Sequence, residues 1–87
     1  MEGFTQELIQ ESPEGGRVYR QHFVAGTRLP VHDHKVGEHV VLLKGRIRIG
    51  SAELAMGAHL WTPPGVRHDA MALEETVLIV IEPPRMS

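Results

Sequence analysis

Gly26-Thr27-Arg28-Leu29-Pro30-Val31-His32-Asp33-His34-Lys35-Val36-Gly37-Glu38-His39-Val40-Val41-Leu42-Leu43-Lys44-Gly45 combines a histidine pair, a turn and an apolar strand between two glycines. His32 and His34 are two apart, so on an extended segment both imidazoles leave the same face. Lys35-Val36-Gly37 reads as a turn, and Glu38 heads the next strand, where a bend brings its carboxylate back toward the imidazoles. Val40-Val41-Leu42-Leu43 is an unbroken apolar run. A strand with one wet face alternates, so this one is expected to be covered on both faces.

Outward from that stretch, short strands alternate with Gly and Pro punctuation. On the N-terminal side, Arg17 to Val24 and Arg28 to Val31 read as strands around Gly26, after the turn cluster Ser12-Pro13-Glu14-Gly15-Gly16. Met1 to Gln10 is ambiguous between a short helix capped by Thr5 and an extended arm. On the C-terminal side, Arg46-Ile47-Arg48-Ile49 alternates cleanly, and Ala52 to Met56, His59 to Thr62 and Arg67 to Leu73 follow, the last after the rigid turn Pro63-Pro64-Gly65. Val77-Leu78-Ile79-Val80-Ile81 repeats the unbroken apolar run, and Pro83-Pro84 ends it. Seven to nine short strands make an all-β chain, a sandwich or small barrel. The expected division is an N-terminal arm or strand over 1–16 and a single barrel domain over 17–87.

Eighty-seven residues allow one core. Such a chain buries only somewhat more than about 60% of its unfolded surface, so a metal or a partner subunit would be a natural support. Six histidines stand against no cysteine, which removes disulfides and thiolate sites. A formal charge of −2 gives no electrostatic footprint for nucleic acid or an anionic membrane. With neither a signal peptide nor a spanning run in the sequence, the expectation is a soluble, cytoplasmic protein.

His68 lies just beyond the Pro63-Pro64-Gly65 turn. Together with His32, His34 and Glu38 it makes three imidazoles and a carboxylate, a set suited to a borderline divalent ion and unsuited to calcium. A His-x-His pair on a solvated strand remains the alternative. The spacing of the glycines adds a resemblance. Gly26, five residues, His32, one residue, His34, three residues, Glu38, six residues, Gly45 resembles the first motif of the cupin superfamily; Gly57, five residues, Pro63, one residue, Gly65, two residues, His68 resembles the second. The chain is similar to its small single-domain, cupin_2-type members.

The resemblance implies a cupin-like double-stranded β-helix, or jelly-roll barrel, with His32, His34, Glu38 and His68 as ligands of one divalent ion per chain: Mn, Fe, Ni, Co, Cu or Zn. Where the second cupin motif commonly finishes with Asn, this sequence has Ala72. His68, Ala70 and Ala72 would share one strand face, so the wall beside the ion carries methyl groups. Asp33 and Asp69 are expected to point away from the ion, and His39, next to Glu38, to face outward. Trp61 is expected to pack in the core, and His22 and His59 to have structural roles.

Three functions follow from these features: a metalloenzyme acting on a small organic molecule, as oxygenase, isomerase or lyase, with a dioxygenase-like reaction among the candidates; a non-catalytic small-molecule binding or sensing module; or a barrel whose ion is structural. No acid or base beyond Glu38 is evident in the pocket from sequence. Val41 and Leu43, out of phase with Glu38, call for a further cover, and a homodimer supplies it more economically than the N-terminal segment folding over them.

Overall fold

The computed structural model describes residues 2–33 and 35–84, with Asp33 described by its backbone alone. Nine strands carry the described chain: β1 (Phe4–Glu11), β2 (Arg17–Phe23), β3 (Arg28–Asp33), β4 (Glu38–Lys44), β5 (Arg46–Ile49), β6 (Ala52–Ala55), β7 (His59–Thr62), β8 (Arg67–Ala72) and β9 (Thr76–Glu82). They form a five-stranded sheet of order β1-β2-β9-β4-β7 and a four-stranded sheet of order β3-β8-β5-β6. All the ladders are antiparallel. Two such sheets face to face are the jelly-roll barrel that the motif spacing implied.

The alternation of each strand sets what the sheets enclose. From β4 the side chains of Glu38, Val40 and Leu42 point inward, and from β9 those of Leu78 and Val80. Ile47 and Ile49 of β5 and Ala70 and Ala72 of β8 meet them from the other sheet, and Phe23 of β2 completes the core with Leu54. Thr76 is fully buried because its hydroxyl has partners. Its Oγ1 accepts from the Arg46 N–H at 3.3 Å and donates to the Glu74 carbonyl at 2.9 Å.

Gly45 has φ +90, and a Cβ there would run into the Glu75 carbonyl, so the corner between β4 and β5 excludes any side chain. This is the physical reason for glycine at the close of the first motif. Residues Phe4–Glu11 run as β1 along the edge of the larger sheet, paired with β2, with a register shift between Leu8 and Gln10. They do not lie over β4 and β9. The outward residues of those central strands, Val41, Val77, Ile79 and Ile81, are therefore half-buried, and Leu43 is 48% exposed. Within one chain, the expected cover on both faces of these runs is incomplete.

Trp61 differs from expectation as well. Leu60 and Thr62 of β7 turn inward, so Trp61 faces out, 42% exposed, with its ring over Gly37. Strand phase, not aromatic bulk, decided its place. Arg46 and Arg48 lie on the wet side of β5, and Arg48 forms a two-pronged pair with Asp69 at 3.1 and 3.0 Å. Asp69 thus points away from His68's face, as its neighbouring position on β8 dictates.

Candidate metal centre

His32 and His68 are direct cross-strand partners in the β3–β8 ladder. Their rings lie edge to face with centroids 5.5 Å apart. The register of that ladder shifts between Leu29 and His32, a bulge that re-aims the end of β3 toward the barrel mouth. His32 Nδ1 lies 2.8 Å from the Pro30 carbonyl. A carbonyl only accepts, so Nδ1 carries the hydrogen, and in the neutral ring Nε2 is left with the lone pair a metal needs.

Glu38 reaches the same cavity from β4 and is only 8% exposed. Burial, reinforced by the negative charge of Glu82 and partly offset by His32, pushes its pKa up from 4.5 to about 7. His68 is shifted the other way: burial first, then His32, lowers its pKa, against a smaller opposing pull from Asp69. A lowered pKa keeps this imidazole neutral near pH 7, the form that binds metal.

His32, Glu38 and His68 line one small cavity of about 50 Å³, walled by apolar residues that include Leu29, Ala70 and Val80. His32 and Glu38 also line a larger pocket of about 360 Å³ with Gln6, Tyr19, Gln21 and Glu82. His34, the remaining predicted ligand, lies outside the described residues. Among the described residues no three His, Asp or Glu side chains are grouped so as to hold a metal ion. The structure thus brings His32 and His68 together and puts Glu38 in their cavity.

The donor chemistry fits a borderline divalent ion. Two imidazoles and a carboxylate line one cavity in which the carboxylate lacks solvation, and a cation would restore what burial removes. Glu82 is the residue that sequence reasoning missed. It puts a second carboxylate beside the pocket, and its signal was present only as the last residue of β9, in phase with Leu78 and Val80. Gln6 and Gln21, joined at 2.7 Å, were equally unannounced because their role depends on β1 pairing with β2.

Known proteins agree with this architecture. An RmlC-like cupin protein from Desulfovibrio desulfuricans is 32% identical, with 94% of this chain and 84% of that one covered and a TM-score of 0.76. The anti-sigma protein ChrR of Rhodobacter sphaeroides, solved with SigE, gives a TM-score of 0.86 at 15% identity over 95% of this chain and 46% of that one. An acetylacetone dioxygenase from Acinetobacter johnsonii gives 0.83 at 18% identity over 92% and 59%. At these lower identities the likeness is one of fold. The DNA damage-repair/toleration protein DRT102 of Arabidopsis thaliana is 29% identical over 86 residues, which cover 92% of this chain and 27% of that protein. The chain therefore spans about a quarter of this curated relative. Residues 1–86 match the family model of the ChrR cupin-like domain, and with the jelly roll already in view the chain belongs to that family, within the cupin superfamily.

Proposed function

We propose that this chain binds a small organic molecule at one divalent transition-metal ion held by His32, His34, Glu38 and His68. The observation that carries the reading is the buried Glu38 carboxylate, held to about 7 in a cavity it shares with His32 and His68. His34 joins the set through its place in the motif. Once bound, the ion would supply Lewis acidity or, if redox-active, dioxygen activation. The protein's own part is to receive the ligand. Leu29, Ala70 and Val80 offer an apolar wall for a carbon skeleton, and Gln6, Tyr19, Gln21 and Glu82 offer hydrogen bonds around the larger pocket.

A dioxygenase-like activity draws support from the fold shared with the acetylacetone dioxygenase. A binding or sensing role without turnover is the second reading. It is favoured by membership of the ChrR cupin-like family and by the Ala70 methyl in the cavity wall, whereas Ala72 lies in the core and not on that wall. Elemental analysis of protein purified without an affinity tag tests the site. The expected result is close to one ion per chain in the wild type and little in His68→Ala; full occupancy of the variant would remove His68 from the ligand set. Turnover of any member of an oxygenase, isomerase and lyase substrate panel, lost on chelation, then favours the enzyme over the sensor.

We further propose a homodimer through the outward face of β4 and β9, where Val41, Val77, Ile79 and Ile81 are half-buried in a single chain. Sedimentation giving a monomer at micromolar concentration would overturn it.

A further inference from the structure

On the outer side of β4, directly behind the candidate centre, His39 and His59 come together. His39 is the cross-strand partner of Trp61, and His59 that of Val41, so the two histidines are diagonal neighbours on adjacent strands. Their rings are stacked with centroids 5.0 Å apart and 22° between planes. His39 Nδ1 and His59 Nε2 are separated by 2.8 Å. Two nitrogens bound cis to one ion on bonds of about 2.0–2.1 Å are themselves about 2.9 Å apart. The pair therefore already has the bite of a bidentate metal chelate. With His39 in its Nε2–H tautomer both facing nitrogens present lone pairs, and rotation of the two rings would let these converge on one ion.

We propose that His39 and His59 form a second transition-metal site, on the outer face of the larger sheet and separate from the cavity of His32, Glu38 and His68. Two imidazoles select a borderline divalent ion, with Cu(II) favoured by the order of affinities for nitrogen ligands. Both side chains are solvent-accessible in the single chain, so the remaining positions stay open to water or, in the dimer proposed through this face, to donor atoms of the second copy. Glu38 and His39 are consecutive on β4 and leave it on opposite sides, which puts the two sites back to back across one strand.

Trp61 provides the readout. It is the only tryptophan in the chain, and its ring centroid is 4.6 Å from that of His39. Titrating the purified protein with Cu(II) is expected to quench Trp61 fluorescence at about one equivalent per outer pair. His59→Gln and, separately, His39→Gln are expected to abolish that quenching, both substitutions lying on the solvent-accessible face. His68→Ala, which disables the inner cavity, is expected to leave it intact. Continuous-wave electron paramagnetic resonance of the Cu(II)-loaded His68→Ala protein should show coupling to two imidazole nitrogens. Quenching that survives in both outer variants, that vanishes with His68→Ala alone, or that needs a large excess of Cu(II) would overturn the proposal.

Discussion

Two histidine groups lie on either side of β4, and they differ in what surrounds them. Inside, His32 and His68 share a cavity with a carboxylate that the second sheet covers, and burial shifts Glu38 up and His68 down. Outside, His39 and His59 stack in the open beside Trp61. Residue type is the same on both sides, and the sequence separation of Glu38 and His39 is a single step. In a thin barrel, then, the chemistry of an ionisable group is set by which sheet face it leaves. A cover over that face removes water, and the loss of water moves its proton affinity.

The largest expected contrast between the two faces is in packing. Leu42, 1% exposed on the inner face, is expected to cost about 2–5 kcal/mol on replacement by Ala, whereas Leu43, 48% exposed one residue later, should cost no more than about 0.5 kcal/mol. Urea denaturation of Leu42→Ala and Leu43→Ala checks the pair. Similar losses from both would mean that the outer face is as fully covered as the inner one, as a tight dimer would make it.

Next comes the pH dependence of the metal-free protein. A carboxyl whose pKa rises on folding gives its full stability below the ordinary value of 4.5 and loses it as pH climbs through about 7. Glu38→Gln removes that loss, worth up to about 3 kcal/mol by pH 8. His68 acts in the opposite sense, since its lowered pKa withdraws stability as pH falls below the ordinary histidine range. The measurement is thus the difference between wild type and Glu38→Gln, followed by thermal unfolding in chelator from pH 4.5 to 8. A flat difference would mean that Glu38 ionises in the folded state as it does in water.

The smallest effect is expected at the outward Arg48–Asp69 pair. Its side chains are about one-third exposed and screened by solvent, so Arg48→Met should lower stability only slightly, and less in high salt. Stability measured at low and high ionic strength checks it. A larger loss would show that an outward ion pair anchors β5 to β8 as firmly as the inward packing does.

Much of the fold was legible. The bounds of β4, β5 and β7 follow from their apolar patterns between glycines and prolines, and β2, β3, β6, β8 and β9 differ by a residue or two where strands fray into turns. The inward phase of Glu38, with His39 outward, follows from alternation alone. The pairing of β1 with β2 was not legible, because an exposed edge strand of mixed polar residues carries no strong periodic signal. With it, Gln6, Gln21 and the pocket beside Glu82 were also out of reach. Trp61 was misplaced for a related reason: aromatic bulk suggested the core, and the phase of a four-residue strand overruled it.

By itself the sequence determined the all-β class, the glycine corners and the motif positions of His32, His34, Glu38 and His68, because these depend on local spacing and on conformations that glycine alone adopts readily. Tertiary structure decided which groups share an environment. The crossing of β3 against β8 brought His32 to His68, the second sheet buried Glu38, and the pairing of β4 with β7 set His39 against His59. Proximity across strands depends on register and on the cover of a face, and neither is written in any one segment.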